Sequence, residues 1–390
     1  MAQQHLDPPI DPAASLPAPP PPVLGRGERP ERPGAPGGED LADYLRAQAT
    51  EFLRSLRQHR ENGVGGSAAV RGESKAGDAG HGGPDDAGDA ALALRRSARR
   101  ISGTLHTFRP LLDMEWSEGI RPELAWLSGT LAREHAYAAR LERLLTALHR
   151  LSGSAVPPAR QAAPADGAGS GPHARAAAVQ ERGPLTVGAA KAGALLERQL
   201  TLARTRAHSA ALQALGSSRF HAVADGVAVL ASEVPLTPAA ASADLRPLAA
   251  AAEERLCDAV STLPLMTAGL AYNAQALIHG LSPDPAPHPQ DGPWHQVRLL
   301  LRLHRYAREV LRHGEQDASD ARLPAAGAAL NRHRDASEAA AAAASAARTP
   351  RIAPATAYAL GVLHADQRHE VEAARFAFQQ AWQKRTVGAP

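Results

Sequence analysis

Apolar side chains recur at helical spacing over most of this chain. In the segment EDLADYLRAQATEFLRSLRQHREN they return every three or four positions, at Leu41, Leu45, Ala49, Phe52 and Leu56. This spacing places them on one face of an amphipathic helix. The alternation typical of a half-buried strand is missing from the sequence, and Val, Ile, Tyr, Phe and Trp are too sparse to build a sheet. The pattern therefore predicts an all-α protein.

Helical periodicity continues along the chain and is interrupted at prolines. The pattern predicts helical blocks over residues 89–151, 187–279, 294–313, 323–347 and 355–385. We expect breaks in the second block at Pro235, Pro238 and Pro264, because proline lacks the backbone N–H that a helix interior needs. We expect Pro110 and Pro122 at helix ends or in first turns. Blocks of this kind predict helical bundles.

Glycine and proline concentrate in separate segments. The 390 residues include 33 Gly and 32 Pro, and aromatic residues make up only 4%. Segments of this composition cannot bury enough apolar surface to offset the entropy lost on ordering. We therefore expect a disordered N-terminal arm, three flexible inserts and a disordered tail, at residues 1–38, near 63–88, 152–183 and 282–293, and at 386–390. The helical domain is expected to span residues 39–385.

Overall charge favours no particular partner. Lys and Arg number 43 against 40 Asp and Glu, which gives a formal net charge of +3. The single cysteine, Cys257, excludes an internal disulfide framework and a cysteine-rich zinc site. No apolar run reaches the roughly 18 residues of a membrane span, and the N-terminus lacks the features of a secretory signal. We expect a cytoplasmic protein.

Two distant segments carry cations at the same helical spacing. The first holds Arg95, Arg99, Ser102, His106 and Arg109, and the second holds Arg298, Arg302, Arg305, Glu309 and Arg312, at equal offsets. These offsets lie within roughly 40° of one line along a helix. Each segment thus presents a row of cations on one face. The matching register also indicates duplication of one helical unit.

Rows of guanidinium groups suit an extended polyanion. Neighbours in such a row are about 6 Å apart, and each guanidinium can donate two hydrogen bonds to phosphate oxygens. The alternative is that both rows are solvated faces of ordinary surface helices. Single-stranded nucleic acid is a weaker candidate ligand, because Phe108 and Tyr306 are nearly the only aromatic side chains among these arginines.

The residues of both segments resemble the CHAD family, the conserved histidine α-helical domain. The segment ALALRRSARRISGTLHTFRPLLDMEWSEGIRPELAWLSGTL resembles the opening repeat, and WHQVRLLLRLHRYAREVL resembles the corresponding helix of the second repeat. The resemblance implies an all-α fold of two four-helix-bundle-like repeats around a basic central cavity. It also implies binding of inorganic polyphosphate in the cytoplasm, with an association with polyphosphate granules.

The resemblance implies which residues of this chain would bind the ligand. One wall of the site would consist of Arg95, Arg99, Arg100 and Arg109, the other of His295, Arg298, Arg302 and Arg305, with Arg198, Arg204 and Arg219 as weaker candidates from intervening helices. Three features depart from the family pattern. Leu92 replaces the first-repeat histidine, Leu303 occupies a basic position, and residues 135–138 lack an acidic run. The loss of the histidine at Leu92 and the changed residues 135–138 favour the alternative of a helical scaffold that has lost its ligand and acts through protein contacts.

No catalytic constellation accompanies these features. The sequence lacks the G-x-S-x-G, P-loop and G-x-G-x-x-G patterns. Glu253 and Glu254 are adjacent and point in different directions on a helix. His364 and His369 lie five residues apart without an HExxH motif, and surface histidines explain them better than a metal site. We therefore expect a non-enzymatic protein without a metal or another cofactor.

Overall fold

A computed structural model describes residues 36–69, 84–153, 184–270, 288–312 and 322–383. These residues contain ten α-helices: α1 Gly38–Ala69, α2 Pro84–Thr107, α3 Met114–Leu151, α4 Pro184–Leu215, α5 Ser218–Ser232, α6 Arg246–Ser261, α7 Leu265–Ala268, α8 Gly292–Leu311, α9 Arg322–Ala347 and α10 Pro354–Gln383. Short 3-10 helices cover Arg109–Leu111, Pro238–Ser242 and Pro289–Asp291. Apart from one isolated bridge, these ranges contain no strand pairing, so the all-α prediction is confirmed. None of the described helices is both long and apolar enough to cross a membrane.

Prolines end helices at most of the predicted positions. Helix α5 ends shortly before Pro235, and Pro264 directly precedes α7. Pro110 lies in the first turn of a 3-10 helix, as predicted. Pro122 instead lies inside α3, so our prediction for this residue is wrong. Proline there removes one backbone hydrogen bond and crowds the preceding turn, while the buried Leu124 two residues later favours continuation of the helix.

The described helices enter two of the segments that we expected to be flexible. Helix α1 extends to Ala69 and α2 begins at Pro84, so helix occupies both ends of the segment 63–88. The end of the segment 282–293 is also ordered, because the carboxylate of Asp291 is fully buried against arginine side chains. Of the other predicted segments, only residues 36–38 of the arm and 152–153 of the second insert are described, and the remainder, with the tail, lies outside the described residues.

The chain divides into two compact units. The first consists of Met1–Arg133, Ala207–Cys257 and Leu300–Ala318, and the second consists of Glu134–Arg206, Asp258–Leu299 and Ser319–Pro390. The boundary falls inside α3, α4, α6 and α8.

The first unit has a core of large aliphatic and aromatic side chains. The predicted apolar face of α1 is buried in it, including Leu41, Leu45 and Phe52, each 0% exposed. Helix α2 contributes Ile101 and α5 contributes Phe220 to the same cluster. At roughly 2 kcal/mol for each fully buried large side chain, this face contributes much of the stability of the unit.

The second unit packs partly through small side chains. The alanine-rich helix α9 lies against α10, and its Ala339, Ala340 and Ala343 are buried. Alanine is the strongest helix former and lets neighbouring helices approach closely. Leu360 and Leu363 of α10 are fully buried and belong to the same cluster as Ala339 and Ala343.

Close approach of α2 and α8 in the first unit depends on Gly103. A Cβ atom at this position would lie 2.6 Å from Cδ2 of Tyr306 and 3.2 Å from Cδ2 of Leu303. We predict that Gly103→Ala lowers the free energy of unfolding by about 1–3 kcal/mol through overpacking, as measured by urea denaturation. The matched control is Gly129→Ala in α3, where the new Cβ meets nothing within 4 Å. The control should be neutral or stabilising by up to about 1 kcal/mol, and equal losses in both variants would contradict the prediction.

Candidate functional site

Helices α2 and α8 run antiparallel in the first unit. Nε of Arg100 on α2 lies 2.8 Å from Oε2 of Glu309 on α8. One turn later on α2, Gly103 lies against Tyr306, which is one turn earlier on α8. Since positions advance on one helix as they recede on the other, the two helices point in opposite directions. Their contact line passes through Arg100 and Gly103 on α2 and through Leu303, Tyr306 and Glu309 on α8.

This register determines where the arginine rows lie. Successive helix residues turn by about 100°, so Arg95 and Arg99 lie about 70–110° to one side of the contact line on α2. Arg302 and Arg305 lie about 40–100° from the contact line on α8, in the same rotational sense. In an antiparallel pair, equal rotational senses correspond to the same side of the pair. All four side chains are partly buried, so both rows of the first unit lie on one side of α2 and α8.

A polar contact next to the rows links α1, α2 and α8. Glu309 accepts hydrogen bonds from the Arg100 guanidinium and from the Tyr44 hydroxyl of α1, at 2.8 and 2.9 Å. Burial, together with the Glu309 carboxylate, raises the pKa of Tyr44 well above its usual value, so the hydroxyl stays protonated and donates. The charge of Arg100 is compensated by Glu309. This arginine therefore positions the helices around the rows.

The row on α2 ends in a cluster that the spacing alone does not reveal. Nη2 of Arg121 on α3 lies 2.9 Å from Nδ1 of His106. Arg121 and Arg109 both pair with Glu118, at 2.6 and 3.0 Å. Burial, followed by the charges of Arg121 and of Arg255 on α6, lowers the pKa of His106 to about 4. Arg121 and Arg255 come from other helices, so they were missing from the predicted site.

Two predicted residues lie on the part of α8 that belongs to the second unit. Nε of Arg298 donates to Oδ1 of Asn331 on α9, at 2.8 Å. The ring of His295 stands edge-on to that of His333, with 5.5 Å between centroids. Its Nε2 is buried and has no hydrogen-bond partner among the described residues. Burial lowers the pKa of His295, so this imidazole is neutral at neutral pH.

The three weaker candidates are exposed. In the first unit, Arg219 pairs with Glu123 at 2.6 Å and lies over the ring of Trp126, with its guanidinium carbon 4.1 Å from the centroid. In the second unit, Arg204 lies 3.8 Å from Glu134. Arg198 lines a shallow depression on α4. Carboxylates therefore partly offset the positive charge of Arg204 and Arg219.

A buried ionic cluster precedes α8 in the second unit. The carboxylate of Asp291 accepts hydrogen bonds from Arg368 and Arg375 of α10, each with one contact of 2.7 Å, and from the Ser337 hydroxyl of α9. Both arginines are at most 5% exposed. The guanidinium of Arg375 also lies over the ring of Trp294. The spacing of seven between Arg368 and Arg375 is the sequence signal for this cluster, since it places both on one helix face.

Metal-ligand geometry is absent from the described ranges. They contain no group of three or more His, Cys, Asp or Glu side chains that could hold a metal ion. One ring nitrogen of His364, Nδ1, lies 3.0 Å from the backbone oxygen of Ala340. His369 is exposed, and so is Cys257.

Comparisons with known proteins agree with the helical architecture. A family model of the CHAD domain matches residues 79–344. The solved structure of PptA from Streptomyces chartreusis is similar to this chain, with 66% sequence identity and a TM-score of 0.69. The match covers 90% of this chain and 100% of that one. No curated protein matches the chain.

Proposed function

The chain belongs to the CHAD family, and from this premise we propose that it binds inorganic polyphosphate through its arginine rows. One observation carries the proposal. The rows of Arg95 and Arg99 on α2 and of Arg302 and Arg305 on α8 lie on the same side of an antiparallel helix pair. A linear polyanion that follows this side could contact both rows at once.

The chemistry of the rows fits phosphate better than carboxylate ligands. Guanidinium groups remain charged at any physiological pH and donate two parallel hydrogen bonds to phosphate oxygens. Partial burial of Arg95, Arg99, Arg302 and Arg305 lowers the local screening by water, which strengthens each contact. A ligand with one negative charge per repeating unit can neutralise several of these cations together.

The remaining predicted site residues contribute less directly to the proposed binding. Arg298 and His295 are ligand candidates in the second unit, where His295 would donate to phosphate once protonated. Arg109 and Arg219 bind carboxylates in this structure, so polyphosphate would displace those partners. Arg198 and Arg204 remain weaker candidates, and Arg100 supports the rows through Glu309.

Leu303 illustrates how the site can tolerate a departure from the family pattern. Its side chain is buried and lies near Gly103, on the contact line between α2 and α8. A basic residue is therefore replaced by a packing residue at this position, while Arg302 and Arg305 on either side remain partly exposed. Leucine at position 303 therefore removes one cation from the family pattern but leaves both arginine rows in place.

We further propose that binding is non-enzymatic and takes place in the cytoplasm, with an association with polyphosphate granules. The alternative is a protein-interaction scaffold that has lost polyphosphate binding. The loss of the first-repeat histidine at Leu92 and the compensation of Arg109 by Glu118 favour that alternative. Single-stranded nucleic acid is a less favoured ligand, because few aromatic side chains accompany the arginines.

A titration with fluorescently labelled long-chain polyphosphate at about 0.15 M salt distinguishes these functions. We expect saturable binding, which unlabelled polyphosphate reverses more effectively than single-stranded RNA at equal phosphate concentration. A scaffold without ligand predicts no saturable signal. Equal or better competition by RNA would indicate a nucleic-acid binder instead.

A further inference from the structure

The α2 row ends beside a group of cations drawn from three further elements. His106 is the last residue of this row that lies within α2. The charged groups around it are Arg109 of the 3-10 helix, Arg121 and Glu118 of α3, and Arg255 of α6. Three guanidinium groups and one carboxylate are therefore the charged groups with the largest effect on His106.

The carboxylate is held by only two of the three arginines. Glu118 accepts from Nη1 of Arg121 at 2.6 Å and lies 3.0 Å from Nε of Arg109. Arg255 is partly buried on α6 and makes no hydrogen bond or ion pair with any described residue. Burial lowers the pKa of Arg255, as expected for a cation that is partly withdrawn from water. An anion beside Arg255 would remove this penalty.

His106 supplies a hydrogen-bond donor at the same place. Because Nη2 of Arg121 donates to Nδ1 of the ring, the proton of the neutral imidazole is on Nε2. The surrounding cations disfavour a second proton. A bound anion would reverse this preference: the ring would then take its second proton on Nδ1, Arg121 would give up its hydrogen bond to that nitrogen and donate to the anion instead, and the charged ring would donate strongly.

We propose that His106, Arg121 and Arg255 form a subsite that binds one phosphate group and takes up a proton on His106. This inference rests on the proposed function and extends it, because the subsite continues the row of Arg95 and Arg99. One phosphate group of a long chain would sit among the three side chains, and the rest of the chain would follow the rows. Affinity for polyphosphate then increases as the pH falls from 7.5 to 5.5.

The affinity for polyphosphate should rise in acid because of the protonation of His106. In the free protein the pKa of His106 is about 4, so the ring is neutral throughout this range. A bound phosphate adds negative charge and raises that pKa. Proton uptake on binding therefore becomes measurable at pH 5.5, where the complex holds more protons than its separate components. Long chains are required as the probe, because their internal phosphates do not titrate at this pH.

The first experiment removes the guanidinium of Arg255. Arg255→Gln should weaken binding of long-chain polyphosphate about tenfold at pH 7.5. The matched control is Arg246→Gln, on the exposed start of the same helix, where the arginine pairs with Asp244. This control should change the affinity less than twofold. Circular dichroism checks that both variants keep the helix content of the unaltered protein.

The second experiment tests whether His106 takes up a proton when polyphosphate binds. Titration calorimetry at pH 5.5 in two buffers of different ionisation enthalpy gives the number of protons bound with long-chain polyphosphate. His106→Asn keeps an acceptor for Arg121 and removes the titrating ring, so proton uptake should fall. His149→Asn, at an exposed position on α3, should leave it unchanged.

The outcomes separate this inference from the proposed function. If Arg255→Gln and His106→Asn leave affinity and proton uptake unchanged, while substitutions in the rows weaken binding, the subsite is overturned and polyphosphate binding stands. If the unaltered protein binds no polyphosphate, both proposals fall. A tenfold loss in Arg255→Gln together with reduced proton uptake in His106→Asn supports the subsite.

Discussion

Replacing Arg99, Arg302 and Arg305 together with Gln is expected to weaken binding of long-chain polyphosphate about a hundredfold at 0.15 M salt. Each lost guanidinium removes an ion-pair contact of about 1 kcal/mol, the upper end of the range for pairs that remain accessible to water, and 1.4 kcal/mol corresponds to tenfold in affinity. The three side chains lie on one side of α2 and α8, so the same bound chain should lose all three contacts. The measurement is an equilibrium titration of the labelled polymer.

A charge-matched control separates site contacts from overall charge. Arg54, Arg57 and Arg60 are exposed on α1, and their triple replacement with Gln changes the net charge by the same amount. This control should weaken binding less than fivefold. If both triple variants lose the same affinity, long-range attraction explains the binding and the rows have no special role. Unchanged circular dichroism of both variants establishes that the fold is intact.

Asp291→Ala is expected to lower the free energy of unfolding by about 3–5 kcal/mol, the largest stability effect that we predict. The carboxylate is 0% exposed and compensates Arg368 and Arg375, which are themselves buried. Removing it leaves two buried guanidinium groups without their main acceptor, which costs more than the pair contributes when intact. Urea denaturation followed by tryptophan fluorescence measures the loss. Trp294 is suited to report it, because the ring is buried and lies near Arg375.

Two further variants make this prediction specific. Asp258→Ala removes an exposed carboxylate of the same unit and should change stability by less than about 0.5 kcal/mol. Combining Asp291→Ala with Arg368→Met and Arg375→Met removes the buried charges together and should recover part of the loss. A triple variant that is as unstable as Asp291→Ala, or more so, would show that packing rather than charge explains the effect.

The same cluster predicts how stability depends on acid. Burial alone would raise the pKa of Asp291, but the hydrogen bonds and charge of Arg368, together with Ser337 and His333, hold it well below its usual value. A lowered native pKa stabilises the fold above the usual Asp pKa of about 3.9, and this stabilisation is lost as the pH falls through the native pKa. Asp291→Ala should therefore reduce the loss of stability below about pH 4.

The helices and the arginine rows could be predicted from the sequence because both depend on local spacing. The face of Leu41, Leu45 and Phe52 needs only the helical period, and so does the row of Arg95 and Arg99. That the two rows share one side could not be predicted, since it depends on the antiparallel register of α2 and α8. The register is determined by the contact of Gly103 with a tyrosine some two hundred residues later.

Other features depend on contacts between distant segments. Asp291 lies in a proline-rich stretch whose composition is typical of a loop, yet two arginines of α10 bury it. Arg255 lies on α6 without a periodic partner, and only the folded unit places it near His106. Pro122 lies inside α3 because packing of the neighbouring leucines outweighs the missing hydrogen bond and the crowding that a proline causes within a helix. In each case a tertiary contact overrides the local sequence preference.

The salt dependence of polyphosphate affinity tests the role of the rows most directly. Each neutralised phosphate of a single-stranded polyanion contributes about 0.7 to the slope of log affinity against log salt concentration. The triple replacement of Arg99, Arg302 and Arg305 should therefore reduce the magnitude of this slope by about 2, while the triple replacement on α1 leaves it nearly unchanged. An equal slope in the unaltered protein and the row variant would contradict the proposal that these arginines contact the phosphates.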